Sequence, residues 1–141
     1  MTCENVAVAL SYDPDRPSWS TPAVCAALGV TRTEINYWVR GMPLPLARPG
    51  TGYRRRWSPR EVVAIAICRH LRDSGLSILV AAPAAVVGCH GDRGEVLYVR
   101  PEGAVVLPAE ATASVSQPFH ALRLAPVWDE VEAWVHGEAA A

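Results

Sequence analysis

Residues 19–42 read WSTPAVCAALGVTRTEINYWVRGM, and this stretch decides the fold of the N-terminal part. A hydroxyl residue that can cap a helix comes just before Pro22, which the first turn of a helix tolerates. Gly29 suits the left-handed backbone that ends a helix. Thr31 then precedes Glu34 by three residues, the spacing of a capping box. The stretch predicts two short helices joined by a glycine-containing turn, which is a helix-turn-helix.

A small β-hairpin is predicted after these helices. The turn Pro49-Gly50-Thr51-Gly52 separates residues 46–48 from residues 53–57. Alternation along the second strand places Arg54 and Arg56 on one face. The other face carries Tyr53, Arg55 and Trp57. One face therefore offers two guanidinium groups, and the other has an aromatic side chain that can pack inward.

Two further helices are predicted between residues 58 and 87. Ser58-Pro59-Arg60-Glu61 is a strong helix start, with a cap, a proline at the first position and a capping-box glutamate. The helix ends at Asp73-Ser74-Gly75. Residues 76–82 predict a fourth short helix that Pro83 breaks or restarts. Residues 88–94 contain three glycines and predict a flexible loop and a domain boundary.

The C-terminal part predicts a small α+β module over residues 95–137. Residues 95–107 predict a hairpin, and residues 119–124 predict a third strand. Pro126 opens a last helix, which Gly137 stops. Its apolar side chains recur at helical spacing and include Trp128 and Trp134. The fold class is α+β, with a winged helix-turn-helix domain at 1–87 (core 19–82) and this module behind it.

Charge is segregated along the chain although the formal net charge is only −1. All 13 basic residues are Arg, and nine of them fall between residues 31 and 72, beside only Glu34 and Glu61. Residues 73–141 carry three Arg against nine acidic residues. A basic block beside an acidic tail is typical of a localised anion-binding face. A solvated arginine-rich surface is the alternative explanation.

Several functional classes have little support in the sequence. The four Cys show no metal-ligand spacing, and Cys89-His90 is a weak metal hint, so no metal or other cofactor is expected. Cys25 and Cys68 fall on apolar helix faces and predict buried thiols. No nucleophile–base or carboxylate pair has a recognisable setting, so an enzyme is not expected. No segment predicts a membrane span or a signal peptide, and a cytoplasmic location is expected.

Four fragments in the correct order resemble the MerR family of winged helix-turn-helix regulators. Residues 19–30 are similar to the family's first helix and turn, and residues 35–42 to the end of its recognition helix. Residues 52–58 are similar to its wing, and residues 71–77 to the exit of its third helix. The resemblance implies double-stranded DNA as the partner, a nucleoid-associated location and a role in transcription regulation.

The resemblance also implies which residues contact DNA. A recognition helix enters the major groove with its N-terminal side chains at the base edges, and arginine suits guanine as asparagine suits adenine. The wing then binds phosphates. The predicted DNA-binding residues are Arg32, Thr33, Asn36, Tyr37, Arg40, Arg48, Tyr53, Arg54, Arg55 and Arg56.

This sequence departs from the family in two places. Asn36 stands where the family usually has Arg, which shifts the expected phosphate contacts to Arg32 or Arg40. Pro83 and the glycines of residues 88–94 forbid the long antiparallel helix that usually joins two MerR subunits. The C-terminal module is therefore expected to bind a second copy or another protein, using Trp128 and Trp134. The alternative is that these tryptophans form the module's own core.

Three candidate functions follow from this pattern, two that depend on DNA binding and one from another class. The leading one is a sequence-specific DNA-binding regulator. An architectural DNA-binding factor, such as a phage excisionase or a small packaging subunit, uses similar winged domains. A protein-interaction module that keeps the fold without binding DNA is the third.

Overall fold

The structure, a computed structural model, describes residues 13–42, 55–110 and 120–140. Helices and strands in these ranges follow one another in the order predicted for an α+β chain. The helices are α1 (Thr21–Leu28), α2 (Arg32–Arg40), α3 (Pro59–Asp73), α4 (Ile78–Cys89) and α5 (Leu124–Ala140). The strands are β1 (Trp19–Ser20), β2 (Arg56–Trp57), β3 (Glu95–Arg100), β4 (Gly103–Pro108) and β5 (His120–Arg123).

Helix α3 forms the centre of the molecule. The side chain of Ser58 accepts a hydrogen bond from the Glu61 amide, and the Glu61 carboxylate accepts one from the Ser58 amide, so the predicted capping box is confirmed. Every residue from 62 to 68 is fully buried, which means that neighbours pack on all sides of the helix. Helices α2, α4 and α5 all contact it.

Helix α4 is longer than the sequence predicted. It runs without a break from Ile78 to Cys89, so the prediction that Pro83 ends or restarts it is wrong. Proline removes the hydrogen bond to the carbonyl of Leu79. Both residues are exposed, so water can reach this part of the helix. The opposite side packs buried alanines against the core, and this tertiary burial outweighs one lost bond.

The C-terminal part is a three-stranded antiparallel sheet of order β4-β3-β5, followed by α5. The predicted hairpin and third strand are confirmed. Two details of the last helix were wrong: it begins at Leu124 rather than Pro126, and it continues through Gly137 to Ala140. A proline in the first turn is compatible with helix, and a single glycine costs only about 1 kcal/mol.

Buried side chains from both predicted domains form one hydrophobic cluster. It includes Val24 and Ile35 from the helix-turn-helix, Leu97 from β3, and Val127 and Val131 from α5. The predicted flexible loop at residues 88–94 begins inside α4, because residues 88 and 89 are helical and buried. The proposed division at residues 87 and 95 stays a prediction, and a shared core crosses it.

Gly91 is the tightest point of the connection between α4 and the sheet. A Cβ atom added there would lie 2.5 Å from Leu124 Cδ1, 2.9 Å from Val106 Cγ1 and 3.2 Å from the Gly88 carbonyl oxygen. Gly94, three residues later, has open space at the same position. The close approach of the chain therefore requires glycine at 91 and not at 94.

We predict that Gly91→Ala destabilises the protein by about 1–3 kcal/mol, because the added methyl group overpacks the contact with Leu124. Urea unfolding monitored by tryptophan fluorescence measures the change. Gly94→Ala is the matched control and should leave the free energy of unfolding within about 0.5 kcal/mol of wild type. Equal effects of the two substitutions would contradict the packing shown here.

Candidate nucleic-acid interface

The turn between α1 and α2 has the geometry that its sequence predicts. The Ser20 hydroxyl accepts a hydrogen bond from the Ala23 amide at 3.3 Å and caps α1. Gly29 has a φ of 66°, in the left-handed region, and its amide donates to the carbonyl of Cys25. Val30 donates to the same carbonyl at 3.2 Å and is buried. The chain is thereby turned so that α2 leaves at a fixed angle from α1.

A complete capping box begins α2. The Thr31 hydroxyl accepts from the Glu34 amide at 3.0 Å, and the Glu34 carboxylate accepts from the Thr31 amide at 2.9 Å. Ile35, Trp38 and Val39 are buried and hold the inner side of the helix against the core. These three buried side chains fix the rotation of α2 about its own axis. That rotation determines which side chains of α2 face solvent.

Five predicted DNA-binding residues form the exposed side of α2, which we call the reading face: Arg32, Thr33, Asn36, Tyr37 and Arg40. All five are exposed, and the side chain of Tyr37 is 51% exposed despite its size. In the part of the chain that the structure describes, none of the five makes a side-chain hydrogen bond or an ion pair. The reading face therefore presents donors and acceptors that the described residues leave unpaired.

The base of the predicted wing lies beside α1. Strand β2 pairs antiparallel with β1, with Trp57 opposite Trp19 and Arg56 opposite Ser20. The Trp57 ring is 1% exposed, and its Nε1 donates to the Thr21 hydroxyl at 2.9 Å. The predicted residues Arg48, Tyr53 and Arg54, together with the turn at 49–52, lie outside the described residues.

Arg55 and Arg56 point to opposite sides, as the strand alternation predicted. Arg56 is exposed, and its guanidinium donates a 3.4 Å hydrogen bond to the Ser18 carbonyl. Arg55 lies inward, with its guanidinium carbon 3.8 Å from the centre of the Trp57 ring and a terminal nitrogen 3.9 Å from Glu61 Oε2. Arg55 therefore packs within the chain, whereas Arg56 faces solvent.

Part of the basic block serves the fold. Arg60 donates to Asp15 at 2.8 Å and to the Cys89 carbonyl at 2.7 Å, and Arg72 donates to the Leu76 carbonyl at 3.1 Å. Arg69 bonds a backbone carbonyl and a carboxylate. The charge count alone had not separated these three arginines from those of the reading face. The partners of Arg60 and Arg69 are distant in sequence, and no local pattern marks these two arginines. The partner of Arg72 lies only four residues away.

Burial affects the three cysteines that the structure describes, Cys25, Cys68 and Cys89. Burial raises the pKa of Cys68 and of Cys89 from 9.0 to about 12, so both stay protonated at neutral pH. Cys25, predicted to be buried, is partly exposed, and burial still raises its pKa. Among the described residues no three His, Cys, Asp or Glu side chains come together as a metal site. In the same ranges no helix is long and apolar enough to cross a membrane.

Comparison with known families agrees with this geometry. The model of the MerR helix-turn-helix family of regulatory proteins matches residues 20–82, from the cap of α1 to the middle of α4. Residues 20–82 are thus similar to the helix-turn-helix domain of the MerR family. Searches of curated proteins and of solved structures gave no match. The similarity to the MerR family supports a DNA-binding transcription regulator in general terms.

The segment that follows the MerR-type domain is a β-strand rather than a long helix. Helix α4 stops at Cys89, and the chain turns into strand β3 at Glu95. The described residues thus contain no long helix directly behind the domain, as the sequence predicted. Trp128 is only 6% exposed, and the ring of Trp134 lies 4.8 Å from that of Trp19. Much of the surface of these two tryptophans is therefore used in packing within the chain.

We predict that Thr31→Ala lowers the free energy of unfolding by about 1 kcal/mol, because it removes the side-chain cap of α2. Ser77→Ala is the matched control, since Ser77 occupies the same position in α4 without a side-chain cap hydrogen bond. Urea unfolding of both variants measures the difference. A loss at Ser77 as large as the loss at Thr31 would show that the capping box does not stabilise α2.

Proposed function

We propose that the protein binds specific sites in double-stranded DNA, with α2 in the major groove and the arginine-rich wing on the phosphates. The exposure of the reading face is the main support for this proposal. Its side chains are exposed and without a side-chain partner in the described chain, while the buried side of the same helix is rigidly packed. Base readout requires this combination, because only a helix held at a fixed rotation can match donors to base edges.

The first turns of α2 carry the side chains suited to bases. Arg32 can make two hydrogen bonds to guanine in the plane of the base, and Asn36 can do the same with adenine. Thr33 and Tyr37 lie beside them and supply a methyl group and a phenol for the neighbouring positions. Arg40, at the end of the helix, is proposed to contact a phosphate.

The wing is proposed to supply affinity rather than sequence choice. Arg56 is exposed at the base of the wing. Strand alternation in the sequence predicts that Arg54 shares its face, and we propose that both meet one DNA backbone. Arg48 and Tyr53 keep their predicted role on the partner strand and in the wing. Arg55 differs: its contact with Trp57 supports a positioning role, holding the wing against the start of α3, in place of a phosphate contact.

A second candidate function is an architectural DNA-binding factor. It is favoured by the short α4 and the sheet that follows it, where family members usually continue into a dimerisation helix. Proteins of the MerR type typically bind DNA as dimers. We propose that the C-terminal part supplies the contact to a second copy. Because Trp128 and Trp134 already pack within the chain, that contact must use mainly other residues.

We predict that Arg56→Ala weakens binding to a labelled mixture of genomic DNA fragments and lowers the slope of log affinity against log salt by about 1, since one phosphate contact is lost. Arg123→Ala is the control, because it removes the same charge from the exposed end of β5. It should leave the salt slope unchanged.

Sequencing the retained fragments separates the two candidate functions. A single palindromic site supports a regulator, and cooperative occupation of tandem direct repeats supports an architectural factor. Absence of wild-type binding even at low salt would overturn both, and the protein-interaction function would take their place.

A further inference from the structure

Helix α5 contacts residues that adjoin both ends of α1: Trp19 before its beginning, and Arg69, which bonds to its last residue. At the beginning of α1, the Trp134 ring packs on Trp19 with 4.8 Å between ring centres and 41° between ring planes. Trp19 directly precedes the cap of α1 in strand β1. The C-terminal helix is therefore in contact with the element that starts the DNA-binding motif.

At the other end of α1, Arg69 of α3 connects the turn to α5. One terminal nitrogen of its guanidinium donates to the carbonyl of Leu28, the last residue of α1. The other donates to both carboxylate oxygens of Glu130, at 3.2 and 3.3 Å. Carbonyls at a helix C-terminus lack a donor within the helix, and a cation there is favourable. We call this arrangement, Leu28–Arg69–Glu130, the Arg69 link.

Arg69 lines a pocket between α3 and the helix-turn-helix. A cavity of about 370 Å³ lies between Arg69, the turn residues Gly29 and Val30, and Tyr37 of the reading face. Arg69 thus borders open space on the side of α2, in a pocket whose lining also includes Glu34, Arg72 and Asp73. Its guanidinium has two hydrogen-bond partners, and Glu130 is the one that carries charge.

We propose that Glu130 is a positioning residue for DNA binding: through Arg69 it holds the carbonyl end of α1, and so sets the angle at which α2 meets DNA. This inference rests on the proposed function. Without the carboxylate, the guanidinium can turn into the cavity or toward solvent and release the Leu28 carbonyl. The turn at Gly29 then fluctuates, and the reading face loses its fixed orientation.

Whether removing the charge of Glu130 weakens or strengthens DNA binding distinguishes a positioning role from a long-range electrostatic one. Glu130 is negative, so removing its charge should strengthen binding to a polyanion if only long-range charge matters. A positioning role gives the opposite sign. Asp129, the preceding residue on the same helix, provides a matched control, because it pairs with Arg93 instead of Arg69.

The first experiment compares Glu130→Gln with Asp129→Asn by titrating a labelled genomic fragment that the wild type retains. We expect E130Q to bind about threefold to tenfold more weakly than wild type at one salt concentration, with an unchanged salt slope. D129N should bind as tightly as wild type or tighter. In an Arg69→Met background, E130Q should cause no further loss. Equal or tighter binding by E130Q would overturn the proposal.

A second experiment measures hydrogen exchange without DNA, so it tests the Arg69 link separately from the proposed DNA binding. Hydrogen exchange of the Gly29 and Val30 amides, both bonded to the Cys25 carbonyl, reports opening of the turn. We expect exchange about threefold or more faster in E130Q than in D129N. If the wild type fails to bind DNA, the proposed function fails, and this exchange alone decides whether the Arg69 link holds the turn. Equal exchange in both variants overturns the link.

Discussion

The burial of helix α3 is the constraint on which the rest of the structure depends. Its residues 62–68 are enclosed on every side, so the helix-turn-helix, α4 and α5 must all pack around it. The helix-turn-helix alone, with two helices of 8 and 9 residues, is too short to be stable in water. The DNA-binding motif is therefore held by a core to which the C-terminal part contributes.

This shared core changes how the C-terminal part is understood. Sequence patterns divided the chain into a DNA-binding domain and a separate module. In the structure, α5 packs on α3, and Arg69 joins α5 to the end of α1. A partner or a second copy that contacts the C-terminal part can thus act on the DNA-binding motif without touching DNA. Because this part is acidic, we expect DNA phosphates to repel its surface.

Local signals explain which features could be predicted from the sequence. The caps at Thr31 and Ser58 and the left-handed Gly29 depend on a few neighbouring residues, so the ends of the first three helices were readable. The predictions at Pro83 and Gly137 were wrong because local preference was followed where tertiary packing or helix context prevails. The exposed side of α2 followed directly from helical periodicity.

Contacts between distant residues explain what could not be predicted. Leu28 and Glu130 are far from Arg69 in sequence, and arginines of the fold look the same in sequence as arginines of a DNA surface. The position of Arg55 was predicted only in part. Strand alternation predicted which face it lies on, but not its contact with Glu61. The family resemblance predicted the motif and its partner class, and the structure shows which of the described side chains are exposed and which are paired within the chain.

The most direct test of the account is chemical footprinting of a bound genomic fragment with dimethyl sulfate, which methylates guanine at N7 in the major groove and adenine at N3 in the minor groove. If α2 reads the major groove as proposed, guanine N7 is protected within the bound site, and binding is lost when those guanines are methylated beforehand. Protection confined to adenine N3, with no effect of guanine N7 methylation, would contradict it.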